Sequence, residues 1–507
     1  MLLQEVVATS RAVSATRSRK EKVRLLAAVL AEAPAGERPL VARYLGGSLR
    51  QRRTGVGWRS LGDLPSPADE ATLTVAEVDA TLEKVAGLSG PGSAGMRRTR
   101  TEELFGRATE DEQAWLRGII TGEVRQGALE AMLTEAVAAA ADLPVKQVRR
   151  AAMLAGGTAY VVEAAFEGEE ALAGIGLTVG RPIQPMLASS APDLAAALEK
   201  VGADAAVDAK LDGIRIQVHR DGQDVRIATR SLDDITERLP EVVEIVRSLP
   251  ADRLVLDGEA MWLADDGGPR PFQETASRTA SGSGGAVTPY FFDLLHRDGR
   301  DLLDLPAHER WAELDDLVPE PWRVTRWRGE DPADAQAFAD DVLASGQEGV
   351  VVKAAGATYD AGRRGAAWVK VKPVHTLDLV VLAVEWGSGR RRGWLSNIHL
   401  GARDPDGGFV MLGKTFKGMT DEILAWQTER FTELATVDDP AADWVVPVRP
   451  EQVVEIAFDG LQRSTRYPGG LALRFARVLR YRDDKSAAEA DTIEAVRDHA
   501  DGPTRGH

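Results

Sequence analysis

The chain has 507 residues, 44% of them hydrophobic, and this length predicts about three domains with separate cores. It contains no cysteine, which excludes disulfides and thiolate metal sites, and no stretch approaches the ~20 apolar residues of a membrane span. The net charge of −16, from 62 Lys plus Arg against 78 Asp plus Glu, excludes a uniformly basic surface. The first residues are too soon interrupted for a secretory apolar core, so we expect a cytoplasmic protein.

The first third of the chain has the pattern of a helical domain. Residues 23–30 and 112–120 carry apolar residues at helical spacing, and residues 128–141 are rich in strong helix formers. Residues 1–60 contain twelve Lys or Arg against four Asp or Glu. Because the whole chain is acidic, this local excess of positive charge predicts a basic surface on one side of the molecule.

A linker and a strand-rich segment follow. Residues 174–182 have the Gly- and Pro-containing composition of a linker. Farther on, apolar and polar residues alternate, which predicts a strand that places Asp208 and Lys210 on one face. We predict that Lys210 belongs to a hairpin that turns at Asp221-Gly222 and whose return strand ends at Arg230.

Lys210 is a candidate amine nucleophile. At an ordinary pKa of about 10.4, only about one lysine in a thousand is neutral at pH 7, so something must lower that pKa. Nearby cations do so because they penalise the ammonium form. We expect Lys353, Lys370 and Lys372 to serve in this way.

Four later segments carry charged residues in strands that would usually exclude them. Each alone is typical of a strand that ends at the surface. Their order and spacing after Lys210 indicate instead one site that several strands assemble. The segments are Leu254-Val-Leu-Asp-Gly-Glu259, Tyr290-Phe-Phe-Asp293, Glu348-Gly-Val-Val-Val-Lys353 and Trp368-Val-Lys-Val-Lys372.

The last quarter of the chain alternates short strands with turns, which predicts a small barrel with one helix over residues 421–434. Residues 277–287 are rich in Ser, Gly and Ala and predict a flexible loop. The tail, residues 501–507, is predicted to be disordered.

One segment fits the phosphate-loop pattern Gly-x-x-x-x-Gly-Lys-Thr, namely Gly408-Phe-Val-Met-Leu-Gly-Lys-Thr415. A phosphate loop must curl around the phosphates and run into a helix. Four bulky apolar residues oppose that curl. We therefore interpret residues 409–412 as the return strand of a hairpin.

The charged segments resemble, in order, the motifs of the covalent nucleotidyltransferase superfamily, and within it the ATP-dependent DNA ligases of a bacterial, actinobacterial type. Lys210-Leu-Asp-Gly-Ile-Arg215 is similar to the first motif, Lys-x-Asp-Gly-x-Arg, and Arg482-Asp-Asp-Lys485 to the last, Arg-x-Asp-Lys. Arg230 and the four strand segments are similar to the motifs between them. Arg474-Phe-Ala-Arg477 is similar to the run before the last motif.

This resemblance implies that Lys210 attacks the α-phosphate of ATP and carries AMP as a phosphoramidate. It also implies contacts to the rest of the nucleotide. Asp208 would accept a hydrogen bond from the adenine amino group, Phe292 would stack on the ring, and Glu259 and Arg215 would hold the ribose.

The resemblance further implies a set of phosphate and metal contacts. Glu348, together with Glu259, would bind Mg²⁺ or Mn²⁺. Arg482 and Lys485 would orient the leaving pyrophosphate. The cations implied around the phosphates are Arg230, Arg364, Lys370 and Lys372.

Three domains follow from the same resemblance: an all-α DNA-binding domain over residues 1–178, an α+β nucleotidyltransferase (adenylation) domain with antiparallel sheets over residues 179–375, and a C-terminal OB-fold β-barrel over residues 376–500. The last motif lies far along the chain from Lys210. The barrel would therefore close on ATP and then swing away, with a hinge at residues 373–378.

The implied partner is nicked double-stranded DNA, held by a monomer that encircles it and contacts its backbone without reading its sequence. Replication, repair and recombination all remain open as its pathway, and the sequence names no protein partner. The candidate DNA contacts are Arg52, Arg53, Arg125, Lys414 and Lys417.

Other functions share part of this pattern. An RNA ligase or an mRNA-capping type of nucleotidyltransferase uses the same lysine chemistry, but the helical first third argues against both. A non-enzymatic alternative is a DNA-end-binding scaffold that retains an inactive nucleotide fold.

Overall fold

The computed structural model describes residues 1–51, 53–124, 130–265, 267–360, 364–388 and 391–499. The tail predicted to be disordered lies outside these ranges. Within them, none of the helices combines the length and the apolar composition needed to cross a lipid bilayer.

The N-terminal part of the chain is built from helices that share one apolar core. Several begin where the sequence supplies a cap: the Thr74 and Thr109 side chains accept from the backbone N–H groups of Glu77 and Glu112, whose carboxylates bond back. Fully buried leucines and valines from most of these helices fill the core. The helices are α1 (Leu3–Ala15), α2 (Arg19–Glu32), α3 (Arg38–Leu45), α4 (Val75–Ala86), α5 (Ser93–Gly106), α6 (Glu110–Thr121), α7 (Glu130–Ala140), α8 (Val145–Ala155), α9 (Val162–Glu167) and α10 (Glu169–Ala173), with 3-10 turns at Trp58–Leu61 and Thr158–Tyr160.

The middle part contains two five-stranded sheets with helices packed against them. Its strands are β1 (Leu187–Ser190), β2 (Ala205–Lys210), β3 (Ile214–Asp221), β4 (Asp224–Thr229), β5 (Arg253–Trp262), β6 (Val287–Arg297), β7 (Arg300–Asp301), β8 (Arg326–Arg328), β9 (Gly349–Ala354) and β10 (Arg364–Val371). Its helices are α11 (Leu194–Val201), α12 (Pro240–Ser248), α13 (Phe272–Ser281), α14 (Ala307–Leu317) and α15 (Pro332–Ala344), with 3-10 turns at Thr236–Arg238 and Glu320–Trp322.

The two sheets divide the predicted hairpin between them. One sheet has the order β1-β10-β9-β2-β8 and the other β4-β3-β5-β6-β7. The turn at Asp221-Gly222 joins β3 to β4 as predicted, but Lys210 ends β2, which pairs with β8 and β9 in the other sheet. The prediction that Lys210 belongs to that hairpin is therefore wrong. The lysine instead lies at the junction of the two sheets.

Gly213 makes this junction possible. A Cβ at this position would lie 2.4 Å from the carbonyl oxygen of Ala260 in β5, so any other residue would push the first motif away from the second sheet. Gly349 has a similar role where β9 begins. It has a φ of +145°, and a Cβ there would lie 2.2 Å from the carbonyl oxygen of Val371.

The C-terminal part is a second strand-rich unit with its own apolar core. Its strands are β11 (His375–Trp386), β12 (Leu395–Arg403), β13 (Phe409–Thr415), β14 (Val445–Pro447), β15 (Val453–Phe458), β16 (Gly460–Arg463), β17 (Leu471–Arg474) and β18 (Arg477–Tyr481). Its helices are α16 (Asp421–Glu433) and α17 (Ile493–Asp498), with a 3-10 turn at Ala487–Glu489. The chain as a whole is thus a multidomain α/β protein whose sheets are mainly antiparallel.

The predicted closed barrel is not confirmed. The main sheet of the C-terminal part has the order β13-β12-β11-β15-β18, with β14 also on β11, and strand pairing among the described residues leaves its ends unjoined. Its two edges approach each other where the Val478 N–H donates to the Lys417 carbonyl oxygen (3.0 Å) and the Thr415 hydroxyl donates to the Ala476 carbonyl oxygen (2.5 Å). Beyond these contacts, residues 460–474 form the separate hairpin β16–β17.

Three other predictions have clear outcomes. The helix predicted over residues 421–434 is confirmed as α16, and the segment that fits a phosphate loop is strand β13, as expected. The predicted loop at residues 277–287 is wrong in its first half, because α13 continues to Ser281. Arg278 fixes this region by donating to the carbonyl oxygens of Gly285 (2.8 Å) and Arg238 (2.9 Å).

Candidate active site

Lys210 ends β2 at the wall of a cavity of about 960 Å³ that the middle and C-terminal parts line together. Its Nζ atom donates to one carboxylate oxygen of Glu348, and the Nζ atom of Lys372 donates to the other. Glu348 precedes β9, whose first residue pairs with Lys210. One carboxylate thus bridges two amines that come from different strands of the sheet.

Burial is the main influence on the protonation of Lys210. It lowers the pKa of the ammonium group, Arg474 and Arg230 act in the same direction, and the carboxylates of Glu259 and Asp212 oppose the shift. Burial likewise lowers the pKa of Lys372, and the nearby charge of Lys210 lowers it further. The expectation that nearby cations lower the pKa of Lys210 therefore names a smaller cause than burial.

Glu259 lines the same cavity from β5. Burial raises the pKa of its carboxyl group to about 7, although the nearby cations of Lys210 and Arg215 favour the ionised form. Near neutral pH this group therefore lies close to its own titration point, whereas an ordinary glutamate is fully ionised there.

Asp208 is held by two cations. Its carboxylate accepts from Nε and Nη2 of Arg326 in β8, the latter at 2.7 Å, and from Nζ of Lys353 in β9 at 2.7 Å. Burial alone would raise the pKa of this carboxyl group, but Arg326 and Lys353 outweigh burial and hold the pKa below its ordinary value. Lys353 therefore pairs with Asp208, whereas the sequence assigned it to the lowering of the Lys210 pKa.

Arg215 belongs to a buried network behind the cavity wall. Its guanidinium forms two bonds with the Asp257 carboxylate, of 3.0 and 2.6 Å, and donates to the Met186 carbonyl oxygen at 2.6 Å. The Tyr359 hydroxyl donates to Asp257 (2.7 Å) and accepts from the Met186 N–H (3.0 Å). The N–H groups of Arg215 thus donate mainly to other protein atoms, although the side chain also lines the cavity.

Aromatic rings form one end of the cavity. Phe292 and Trp368 meet edge to face, with ring centroids 5.8 Å apart. The Nζ atom of Lys353 lies 4.4 Å from the Phe292 centroid and 4.3 Å from the Trp368 centroid. The Arg215 guanidinium lies 5.4 Å from each of the same two centroids. An apolar wall with these two cations beside it suits the stacking and edge contacts of a nucleobase.

The predicted site residues fall into three groups. Arg482 and Lys485 lie elsewhere in the C-terminal part, where both donate to the Asp378 carboxylate at 3.0 and 2.6 Å. Arg364 begins β10, but its side chain is outside the described part of the structure. The residues that line the cavity as expected are Asp208, Lys210, Arg215, Arg230, Glu259, Phe292, Glu348, Lys370 and Lys372.

A different surface of the C-terminal part faces Lys210. Asp459, Phe475, Arg477 and Lys417 line the cavity, and Arg474 donates to Asp212 of the first motif at 3.1 Å. Phe475 is 57% exposed and has a φ of +54°, which is uncommon for a residue other than glycine. In the present arrangement, the last motif therefore lies away from the cavity, and the surface that contains Phe475 lines the cavity instead.

The candidate DNA contacts are dispersed. Arg53 is exposed, Lys417 lines the cavity, and Lys414 is bonded to Glu385 in β11. Arg52 and Arg125 lie outside the described residues. Among the basic residues within residues 1–60, some already have carboxylate partners, such as Arg50 with Asp79, at 2.8 Å.

Sequence reasoning missed Arg326 and Tyr359. Neither belongs to a segment with a recognisable spacing. Arg326 reaches Asp208 only because β8 pairs with β2, and Tyr359 reaches Asp257 from the irregular segment after β9. The one usable signal for Arg326 was its place in a short Arg-Trp-Arg strand at the sheet edge.

The carboxylates of the cavity fit a hard divalent cation. Among the described residues, no cluster of three or more His, Asp or Glu side chains is arranged to hold a metal ion. Mg²⁺, however, commonly takes only one or two protein carboxylates and completes its shell with water and phosphate oxygens. Glu348 and Glu259 are two carboxylates that line this cavity.

The chain matches three family models in order: "DNA ligase N terminus" over residues 59–138, "ATP dependent DNA ligase domain" over residues 185–372 and "ATP dependent DNA ligase C terminal region" over residues 391–485. The middle match begins just before β1 and ends at Lys372. It therefore contains Lys210, Glu259, Phe292 and Glu348.

Curated relatives support the same family over the full length. The chain is 66% identical to a "Probable DNA ligase" of a Nocardioides species, with 98% of each chain covered. It is 65% identical to a "Probable DNA ligase" of Kineococcus radiotolerans, with 98% of this chain and 99% of the relative covered. The solved structure "Pmar-Lig_PreS3" shares the fold, with a TM-score of 0.63 at 17% identity, over 94% of this chain and 99% of that chain. The chain belongs to the family of ATP-dependent DNA ligases, enzymes that use ATP and a divalent metal ion.

Proposed function

We propose that this DNA ligase seals nicks in duplex DNA with Lys210 as its nucleophile. The observation that carries this proposal is the half-buried Lys210 amine, whose pKa is lowered, at the wall of a cavity rich in cations and carboxylates. Its Nζ lone pair would attack the α-phosphorus of ATP, the bond to the β-phosphate oxygen would break, and pyrophosphate would leave. The nitrogen would lose a proton as the phosphoramidate forms and regain one when AMP is transferred to DNA.

Two further transfers complete the proposed reaction. An oxygen of the 5′-phosphate at the nick would attack the phosphorus of lysyl-AMP, and the Lys210 nitrogen would leave. The 3′-hydroxyl would then attack the activated 5′-phosphate, lose its proton and release AMP. Both steps exchange one bond to phosphorus for another, so they require no oxidant or reductant.

The lining of the cavity supports a role for each group. Phe292 would stack on adenine, and Glu259 would hold the ribose. Arg215 would act mainly by fixing Asp257 and Tyr359, since most of its hydrogen bonds go to these partners and to Met186. Arg230, Lys370 and Lys372, which line the cavity, would surround the phosphates, and Arg364 would join them on the basis of the sequence motif alone.

The divalent ion, Mg²⁺ or Mn²⁺, would be held by Glu348 and Glu259, and its charge would neutralise phosphate oxygens during transfer. In the present structure Glu348 accepts hydrogen bonds from Lys210 and Lys372. This carboxylate is therefore already placed between the nucleophile and the proposed phosphate cations.

We also propose three domains, over residues 1–178, 179–375 and 376–500, the first an all-α DNA-binding domain and the last an OB fold. The OB assignment is supported by an open five-strand path with one added strand, β14, and one separate hairpin, β16–β17, since OB barrels are often partly open. A turn of the last domain at residues 373–378 would bring Arg482 and Lys485 to the pyrophosphate. Between β10 and β11 lie only Lys372, Pro373 and Val374, so residues 375–378 of the proposed hinge already belong to β11.

The proposed partner is nicked double-stranded DNA in the cytoplasm, encircled by a monomer. Arg52, Arg53, Arg125, Lys414 and Lys417 remain the proposed contacts to its backbone. The alternatives, an RNA ligase, a capping-type enzyme or an inactive scaffold, are not favoured by the DNA ligase relatives or by the complete set of catalytic residue types.

A single-turnover assay tests this function. The protein is incubated with Mg²⁺ and ATP labelled at the α-phosphate, and nicked DNA is then added. We expect covalent label on the protein, its transfer to DNA and a sealed strand, whereas Lys210→Ala should fold normally and acquire no label. Labelling of Lys210→Ala at the level of the unmodified protein would contradict the assignment.

A further inference from the structure

Arg230 lies on a short loop after β4 whose backbone has an unusual conformation. Leu232, two residues further on, has a φ of +64°, in the left-handed region that a leucine rarely adopts. This conformation is unfavourable for a residue with a Cβ, and it persists only where the surrounding structure imposes it. The contacts that hold Leu232 therefore also determine where Arg230 lies.

Hydrogen bonds within the loop close it around Thr229. The Leu232 N–H donates to the Thr229 carbonyl oxygen at 2.8 Å, and the Thr229 N–H donates to the Asp233 carbonyl oxygen at 2.9 Å. The Ser231 hydroxyl donates to the Asp233 carboxylate at 2.5 Å. Thr229, Arg230 and Ser231 line the nucleotide cavity. The loop is thus one compact unit that carries Arg230 at the cavity wall.

The side chain of Leu232 packs against the helical part of the chain. Gly156 ends α8 with a φ of +86°, in the left-handed region. A Cβ built on Gly156 would lie 3.3 Å from the Cδ1 atom of Leu232 and 3.2 Å from the Pro182 carbonyl oxygen. The leucine therefore occupies the space that any side chain at position 156 would need.

The linker between the helical and middle parts is bonded on both sides of this contact. The Gln184 N–H donates to the Met153 carbonyl oxygen of α8 at 3.0 Å. On the other side, the Ile183 N–H donates to the Gln217 side chain of β3 at 2.8 Å, and Gln217 donates back to the Ile183 carbonyl oxygen at 3.3 Å. Because β3 pairs with β4, these bonds fix the end of α8 relative to the strand that precedes the Arg230 loop.

We propose that Leu232 is a positioning residue for nucleotidyl transfer, and that its packing against Gly156 holds Arg230 at the phosphates. The inference rests on the proposed function, because that function makes Arg230 a phosphate cation. It gives the helical part, whose proposed role is DNA binding, a second role at the nucleotide site. Leu232 acts through Arg230 and not on the substrate itself.

A double-mutant cycle in single turnover tests this coupling. We measure the formation of lysyl-AMP from ATP and the sealing of a pre-adenylated nick, and follow whichever step Arg230→Ala slows more. We expect Leu232→Ala to slow that step by about fivefold or more, because a misplaced cation stabilises the transferred phosphate less. In the Arg230→Ala background, Leu232→Ala should change it by less than about twofold. Leu232→Met keeps an apolar side chain of similar volume and should restore the rate to within about twofold of the unmodified protein.

A pair of glycine variants tests the contact from the helical side. Gly156 and Gly36 have the same φ of +86°, but no described atom beyond its chain neighbours lies within 4 Å of a Cβ on Gly36. Alanine therefore strains the backbone at both positions and meets Leu232 only at position 156. We expect Gly156→Ala to slow the same step by about fivefold or more and Gly36→Ala by less than about twofold. Thermal melts show that each variant is folded at the assay temperature.

Three outcomes would overturn the inference. The first is an equal slowing by Leu232→Ala with and without Arg230, which would show that Leu232 does not act through this arginine. The second is an equal rate for Gly156→Ala and Gly36→Ala. The third is an Arg230→Ala protein with unchanged rates in both steps. If the unmodified protein forms no lysyl-AMP even with ATP, the proposed function itself fails, so the two failures can be told apart.

Discussion

Lys210 and Glu259 line one cavity, and burial shifts their pKa values in opposite directions. Burial lowers the pKa of the Lys210 ammonium and raises the pKa of the Glu259 carboxyl to about 7, because each charged form loses hydration. The neutral amine is the form that can attack phosphorus. The same enclosure that activates the nucleophile therefore makes an ionised carboxylate beside it unfavourable.

The raised pKa of Glu259 predicts a pH-dependent stability. The folded state binds this proton up to about pH 7 and the unfolded state only up to about 4.5, so the contribution of this group falls as pH rises between these values. Glu259→Gln should therefore melt above the unmodified protein at pH 8, by roughly 2 to 6 °C, and the two melting temperatures should converge near pH 5.

Thermal melts of both proteins from pH 5 to pH 8 provide the check. Glu237→Gln, at an exposed position in a 3-10 turn, is the control and should follow the unmodified protein throughout. A Glu259→Gln protein that is less stable than the unmodified one at pH 8 would show that ionised Glu259 is stabilising there.

At the residue scale, the sequence motifs brought together some of the residues that they name, although Arg482 and Lys485 of the last motif lie elsewhere. Lys210, Glu259, Phe292 and Glu348 line one cavity, as their motif order suggested. The partners of Asp208 were not predictable, because strand pairing alone decides that β8 lies beside β2. The spacing of residues along the chain does not show which cationic side chain a neighbouring strand places beside Asp208.

The position of the last motif determines in which step of the reaction its residues can act. Arg482 and Lys485 both bind Asp378 in β11, and a different surface of the same part faces Lys210. If this part turns to bring the last motif to ATP, Arg482 acts only during formation of lysyl-AMP. Its contribution is then absent from the sealing of DNA that is already adenylated.

Arg482→Ala should lower the rate of self-adenylation by at least about tenfold, because a cation near the leaving pyrophosphate is lost. Sealing of a pre-adenylated nick should change by less than about threefold, since that step releases no pyrophosphate. Both rates are measured in single turnover. Arg480→Ala is the matched control, because Arg480 lies on β18 just before Arg482 and is 65% exposed. Equal losses in the two steps for Arg482→Ala would count against a turning domain.

Helices, strands and turns were predictable where the local sequence pattern was strong. They were less predictable where tertiary contacts determine the structure. The β3–β4 turn, α16 and strand β13 match their sequence patterns. The first motif crosses from one sheet to the other because Gly213 allows a close approach to β5, which alternation alone does not reveal. Residues 277–281 are helical because Arg278 anchors them to neighbouring backbone carbonyls.

At the scale of the whole molecule, a protein with a net negative charge must bind DNA, which is also negatively charged. The net charge is −16, yet residues 1–60 carry an excess of positive charge. Several of these arginines pair with exposed carboxylates, such as Arg19 with Glu135, at 2.7 Å. Such exposed pairs are weak, so DNA phosphates can replace the carboxylates.

An increase in salt concentration should therefore weaken DNA binding much more than it slows self-adenylation. Between 50 and 200 mM salt we expect the affinity for nicked DNA to fall by at least about tenfold, because bound phosphates release counterions. The rate of self-adenylation should change by less than about threefold, since its contacts are enclosed and weakly screened. Filter binding and single-turnover labelling measure the two quantities on the same protein. A salt-independent affinity for DNA would contradict binding through the phosphate backbone.

The central claim is that Lys210 carries AMP. The most direct measurement is mass spectrometry of peptides from the protein after exposure to ATP and Mg²⁺, without DNA. We predict an adduct of AMP mass on residue 210 that disappears when nicked DNA is added. An adduct on any other residue, or none, would contradict the account.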